Sequence, residues 1–159
     1  MNTLNIWIDI LTPKQLLFFT PLIDRLESLG HTVLLTSRTY REVTLMSDKT
    51  QSKLDIIFVG RHGGHEKIDK LEASAERVKT LAGLVKSFSP NLSIGFASPE
   101  AARVAFGLNI KHYQINDSPH SEFVAKLTVP FTTKLFTPSV IPKEEWTRYG
   151  IQSHKIVHY

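Results

Sequence analysis

A chain of 159 residues, 42% hydrophobic and 21% charged, is long enough for one domain with its own core and too apolar for a disordered segment. It contains no cysteine, which excludes disulfides, thiolate metal sites and cysteine nucleophiles. The net charge of +4 includes no basic block of the kind that tracks a phosphate backbone. It fits an anionic small molecule or a membrane surface, and no nucleic acid is expected.

Short β-rich runs alternate with helical periods, the pattern of βαβ units around a parallel sheet. Leu4–Ile10 reads as the first strand. Gln15–Leu29 follows as a helix with Leu16, Phe19, Leu22, Ile23, Leu26 and Leu29 on one face, stopped by Gly30. Thr32–Ser37 is a second strand, Tyr40–Lys49 a helix and Asp55–Val59 a third strand. Glu66–Phe88 is the longest helix, with Ile68, Leu71, Ala75, Val78, Ala82 and Val85 at three/four spacing. Leu92–Gly95, a helix Pro99–Phe106 stopped at Gly107, and Ile110–Ile115 continue the alternation. A short helix after Pro119, a strand Lys134–Thr137, a last helical turn Pro142–Tyr149 before Gly150 and a strand start at Lys155–Val157 complete it. The expected fold is α/β, a doubly wound and mainly parallel sheet with helices on both faces, of Rossmann-like type. Trp7, Phe18, Phe19 and Phe106 are expected in the core.

The N-terminal run has neither the basic start nor the cleavage site of a signal peptide, and no apolar stretch reaches the roughly 20 residues of a membrane span. The expected location is the cytoplasm. The chain stops at Tyr159 straight after an apparent strand start, an odd place for a domain to finish, so a continuation is expected.

Ligands of open parallel sheets bind beyond the carboxyl ends of the strands. Five loops fall there: Leu11–Gln15, Ser37–Tyr40, Gly60–His65, Ala97–Glu100 and Asn116–Ser121. The unusual residues of the sequence cluster in the same loops. Thr12, Lys14 and Gln15 sit at a helix start, where amides and the lysine could meet an anion. The loop has no glycine, so neither a P-loop nor a dinucleotide loop is present and no cofactor is expected. Gly60-Arg61-His62-Gly63-Gly64-His65 allows a close backbone approach and offers Arg61, His62, Gly63 and Gly64 as donors. His62 and His65 have only Glu66 as an acidic neighbour, so no metal is expected. Asp9, at the end of the first strand, is expected to be buried and to anchor the loop behind it. His31 is expected to close a turn at the opposite edge of the sheet.

Ser98-Pro99-Glu100 and Ser118-Pro119-His120 both read as helix starts, serine capping and proline at the first position. Ser98, Glu100, Asn116 and Ser118 are therefore candidate ligand contacts. His120, one residue inside its expected helix, would lie near the positive dipole end, which favours a neutral imidazole. Beside Asp117 it could act as a general base on a hydroxyl, making Asp117 and His120 the candidate catalytic pair.

The residues Trp7-Ile8-Asp9-Ile10, Thr12-Pro13-Lys14-Gln15 and Gly30-His31-x-Val33 resemble the start of an archaeal branch of a family of unknown function. Gly60-Arg61-His62-Gly63-Gly64, the run Ser98 to Gly107, Asn116-Asp117-Ser118-Pro119-His120-Ser121 and Ile141-Pro142-Lys143-Glu144 are similar to the same branch. Its members resemble GT-B glycosyltransferases and UDP-N-acetylglucosamine 2-epimerases, which are built from two Rossmann-like halves facing a cleft. The resemblance implies that residues 1–159 are one domain, the N-terminal, acceptor-side half, with the nucleotide sugar gripped by a C-terminal half. The implied partners are a small-molecule or lipid-linked sugar acceptor and a nucleotide-sugar donor. Peripheral membrane association and a homo-oligomer are compatible with it. A UDP-sugar 2-epimerase half, or a non-catalytic module for an anionic sugar or lipid-linked ligand, are the alternatives. The isolated half is not expected to turn over alone.

Overall fold

The computed structural model describes residues 3–39 and 54–159; the expected helix Tyr40–Lys49 lies outside them. Among the described residues seven strands form one sheet: β1 (Asn5–Ile10), β2 (Thr32–Thr39), β3 (Ile56–Arg61), β4 (Leu92–Phe96), β5 (Lys111–Ile115), β6 (Lys134–Thr137) and β7 (Ile156–His158). Their order is β3-β2-β1-β4-β5-β6-β7, and every neighbouring pair is parallel. The direction of winding reverses between β1 and β4. Right-handed crossovers then place helices on opposite faces of the two halves.

That rule is visible in the packing. Alternate residues of β1 face opposite ways, as a strand requires. Ile6, Ile8 and Ile10 join Leu16, Phe19 and Ile23 of helix α1 (Pro13–Ser28) on one face. Trp7 points to the other, against Leu81 and Val85 of α2 (Lys67–Phe88) and Ala101, Val104 and Ala105 of α3 (Pro99–Gly107). A third cluster on that second face gathers Ala125 of α4 (Glu122–Thr128), Trp146 of α5 (Glu144–Thr147), Leu135 and Ile156. Each fully buried large side chain contributes about 1.5–3 kcal/mol. Between the flank of α1 and the first face of β4–β6 lies an apolar groove of about 340 Å³ lined by Phe18, Leu22, Ile94, Tyr113, Ile115 and Phe136.

Helix ends follow local chemistry. Thr12 caps α1 by accepting from the Gln15 amide, with Pro13 at the first position, where its missing N–H costs nothing. At its end Gly30 takes φ +84° while its own N–H and that of His31 bond to Glu27 and Leu26, a Schellman closure. His31 then accepts from the Leu4 amide at 3.2 Å, at the edge of the sheet opposite the carboxyl ends. No helix among the described residues is long and apolar enough to cross a membrane.

Several expectations are corrected. α2 does not bury Ile68, Leu71 and Ala75, which are exposed; the buried row is Ala73, Arg77, Leu81 and Val85. Leu29 falls at the helix cap and is exposed, and Phe18 and Phe106 are surface residues. Gly107 does not stop α3; Asn109 supplies the left-handed residue instead, at φ 56°. Gly60 and Arg61 belong to β3 and not to the loop after it, because β3 runs two residues further, past a register shift opposite β2. The last helical turn spans only Glu144–Thr147.

Candidate functional site

The carboxyl ends of β1 to β4 are held together by a buried charge knot. Asp9 ends β1 wholly out of solvent. Arg77, one residue of the buried row of α2, meets it in a two-pronged pair, Nη2 to Oδ1 at 2.6 Å and Nη1 to Oδ2 at 3.1 Å. Thr36 donates to Oδ1 at 2.7 Å and Ser98 to Oδ2 at 2.7 Å, so β2 and β4 close on the same carboxylate. Arg77 Nε donates to the Val59 carbonyl at 2.9 Å, and the Trp7 indole to Thr36 at 2.8 Å. Burial by itself works to lower the Arg77 pKa, but the Asp9 charge and hydrogen bonds and the nearby Glu100 hold it above the ordinary guanidinium value. Gly60 makes this possible: a Cβ there would lie 3.0 Å from the Arg77 side chain.

Above the knot, the loops after β1, β4 and β5 enclose a hollow of about 280 Å³ lined by Thr12, Lys14, Gln15, Asn116, Asp117 and Ser118, with Phe96 and Ala97 at its floor. Lys14 Nζ lies 2.9 Å from Asp117 Oδ2 and 5.5 Å from the Phe96 ring centre. The pair faces solvent, with 73% of the lysine and 30% of the aspartate side chain exposed. Ser118 Oγ donates to the other Asp117 oxygen at 2.8 Å. Partial burial pushes the Asp117 carboxyl up, yet the hydrogen bonds from Lys14 and Ser118 and the lysine charge outweigh it and hold it below its ordinary value. The same hydrogen bond raises Lys14. Ala97 adopts a left-handed φ of 51° that costs a non-glycine residue about 1 kcal/mol or more, and the strain sits where β4 opens into this hollow.

Two of the predicted contacts are already engaged by the protein. Gln15 is buried, accepting from the Leu11 amide at 2.7 Å and donating to the Phe96 carbonyl at 3.2 Å. Ser98 is buried between Asp9 and the Ala101 amide that it caps. Both shape the site from beneath.

Arg61, His62, Gly63 and Glu100 lie instead around a second cavity of about 510 Å³, whose other walls are Arg38, Lys70, Arg77 and the apolar Phe123, Val124 and Leu127. Glu100 is tied to Ser74 at 2.9 Å and lies 3.7 Å from Arg77. Gly63 has no room for a side chain, since a Cβ would come within 2.5 Å of the Lys70 backbone, so the loop presses on the first turn of α2. The Gly64 amide is directed at His62 Nδ1, 3.2 Å away.

His120 is corrected in its setting. Ser118-Pro119 does not start a helix; α4 begins at Glu122 behind Ser121. The Asn116 side chain takes the Ser118 amide at 3.0 Å, and the Pro119 carbonyl accepts from Tyr149 at 2.6 Å. The dipole argument for His120 therefore has no geometric basis. The ring is exposed in a neighbouring hollow with Glu122, Lys126, Arg148 and Tyr149. Arg38, Arg77, Phe96 and Phe123 were not foreseen as site residues; for Arg77 the available signal was its four-residue spacing from Ala73 and Leu81.

A parallel sheet that reverses at β1/β4, with its polar residues at the carboxyl ends of the strands, defines a Rossmann-like α/β fold similar to one half of GT-B glycosyltransferases and UDP-GlcNAc 2-epimerases. Residues 4–159 match the family described as "Protein of unknown function (DUF354)", and the chain belongs to it. An uncharacterized protein of Methanocaldococcus jannaschii is 33% identical over 156 residues, covering 94% of this chain and 43% of that protein. Among solved structures, UDP-GlcNAc 2-epimerase from M. jannaschii matches with a TM-score of 0.74 at 16% identity over 97% of this chain and 45% of its own. The Neisseria meningitidis epimerase, solved with UDP-GlcNAc bound, gives 0.77 at 15% identity over 97% and 45%. A spinosyn forosaminyltransferase gives 0.66 at 15% identity over 99% and 50%. Likeness at this identity shows the fold. The chain spans less than half the length of its curated relative and of these epimerases.

Proposed function

We propose that the chain is one Rossmann-like domain, the acceptor-side N-terminal half of a GT-B-type glycosyltransferase whose nucleotide-sugar donor sits in a second half. One observation carries the reading: Thr12, Lys14, Asn116, Asp117 and Ser118, drawn from loops on both sides of the strand reversal, line one solvent-facing hollow. Transfer needs an acceptor hydroxyl to lose its proton as it attacks the anomeric carbon. Asp117 is the group placed to receive that proton, since its carboxylate is ionised and open to solvent. Its lowered pKa makes it a weak base, one that takes the proton only as bond formation acidifies the hydroxyl. Lys14 would hold the carboxylate and neutralise an acceptor anion. His120, in the next hollow, is the second candidate base. No step in this scheme calls for a metal or cofactor.

An epimerase-type reading draws support from the higher structural similarity to epimerases, 0.74 to 0.77 against 0.66 for the transferase. Product analysis of the full-length protein with UDP-GlcNAc separates the two. Transfer predicts a new glycosidic bond and free UDP only when an acceptor is present; an altered sugar nucleotide without acceptor would replace it with the epimerase reading. In either chemistry Asp117→Asn is expected to cut turnover at least a hundredfold and His120→Ala less. Full activity in both variants would remove the assignment of a base to this half.

A further inference from the structure

We propose that the cavity between Arg38, Arg61 and Lys70 binds a phosphate group that carries an apolar chain. The inference deepens the acceptor-side reading and rests on it. Three observations converge on the cavity.

The first is an excess of unpaired donors. Glu100, on the cavity wall, is engaged by Ser74 and Arg77, and Arg77 is matched by Asp9. Lys70 has no ion-pair partner among the described residues, and Arg61 reaches only Glu76 at 3.8 Å. Arg38 Nε is buried without a hydrogen-bond partner among the described residues. Buried donors almost always have one, so a missing acceptor is an expected occupant of the space beside it. Guanidinium groups flanking an ammonium suit a phosphate better than a neutral sugar, because the planar donors match its oxygens and the charges match its sign.

The second is volume. About 510 Å³ accommodates a phosphate or diphosphate together with the start of an attached chain.

The third is the opposite wall. Phe123 is 82% exposed and Leu127 56%, one turn apart on α4 where they line the cavity. Near α4, the exposed Phe106 packs on Phe131 with ring centres 4.9 Å apart. Scattered apolar residues on a surface need no explanation, but a pair bordering a cationic cavity does. A phosphorylated amphiphile satisfies both walls at once, whereas a free sugar phosphate would use only the cationic one. The phosphate could come from a lipid in a bilayer or from a soluble ester, and the experiment has an arm for each.

Binding is measured on the chain alone, with no nucleotide sugar. Phosphatidylcholine vesicles doped with polyisoprenyl phosphate are used for cosedimentation, and glucose 1-phosphate is titrated in solution by calorimetry. The expected result is cosedimentation with the doped vesicles and not with vesicles given the same charge by oleate. Arg61→Glu with Lys70→Glu, both on exposed positions, should weaken it at least tenfold, and Arg38→Gln should weaken it as well. Phe123→Ser with Leu127→Ser should abolish vesicle binding while leaving glucose 1-phosphate binding intact. Equal binding to oleate vesicles, or no change on charge reversal, overturns the proposal. So does glucose 1-phosphate binding as tightly as the vesicles with no effect of the α4 substitutions, which would assign the cavity to a soluble ester. Because no donor is present, failure here leaves the transfer reading to be judged by product analysis alone.

Discussion

Two ion pairs lie at the same edge of the sheet and behave as different chemical objects. Arg77 and Asp9 are sealed from water, and the remaining Asp9 lone pairs are filled by Thr36 and Ser98. Lys14 and Asp117 stand in solvent, joined by one contact and steadied by Ser118. Removing a charge from water is costly, and close pairing offsets it, so the inner pair is committed to the scaffold, with each Asp9 oxygen accepting two hydrogen bonds. The outer pair costs little to form and little to open, and a substrate hydroxyl can compete for it. Position at the carboxyl end of a strand therefore does not by itself make a residue functional; the state of its hydrogen bonds separates scaffold from site.

The comparison breaks most visibly at Arg77. Arg77→Ala leaves Asp9 buried without its counter-charge and should destabilise the chain by about 3–5 kcal/mol, read from urea unfolding. A loss under about 1 kcal/mol would mean that water reaches Asp9 and the two pairs are alike.

His112 gives the next largest effect and extends the contrast to pH. It lies on β5 on the same face as Asp9, buried, with Nδ1 3.0 Å from Ser93 Oγ and Nε2 without a partner among the described residues. Burial pushes it down from 6.5 to about 4, with the Asp9 charge opposing only in part. The unfolded chain thus takes up this proton at a higher pH than the folded one. Its contribution is complete above pH 6.5 and falls as the pH drops, reaching a loss of about 3 kcal/mol near pH 4. His112→Gln should flatten that decline, checked by urea unfolding at pH 7 and pH 4; an unchanged slope would place the sensitivity elsewhere.

The smallest effect belongs to the outer pair. Lys14→Ala should change stability by less than about 1 kcal/mol. It should also raise the Asp117 carboxyl from its depressed position toward or above its ordinary value of 3.8, because partial burial is then less opposed. Carbon-detected NMR titration reads this directly, and no movement would show that Lys14 does not hold the carboxylate.

Most of the fold was legible because strands buried on both faces are written as apolar runs bounded by glycine and polar residues. That holds for β1 and β4; β5 reads Lys111-His112-Tyr113-Gln114-Ile115 and β3 is largely exposed, so these are marked instead by their alternation with helical periods, as Gly30 is by its place after one. The face of α2 was not legible, because its buried row contains a charged residue and so breaks the apolar period. Arg77 looks like any solvated basic residue until its partner 68 positions away is known. The helix start at Ser118 failed for a local reason. Ser98-Pro99 and Ser118-Pro119 are the same dipeptide, but Asn116 precedes the second, and its side chain claims the Ser118 amide and makes a turn. The loops after β1, β4 and β5 meet at one hollow, Arg38 of β2, Arg61, His62, Gly63 and Glu100 line another, and His120 opens onto a third, a division that depends on where α2 and α4 pack.

The place of β1 in the sheet has a consequence for how the chain acquires its structure. Its two neighbours are β2 and β4, and Asn5–Ile10 cannot be enclosed on both edges until Leu92–Phe96 exists. During synthesis the ribosome must therefore release more than half of the chain before Ile6, Ile8 and Ile10 are fully sheltered and Ser98 can reach Asp9. Closure over so long a span is slow, and the early chain carries an open strand edge that invites wrong pairing.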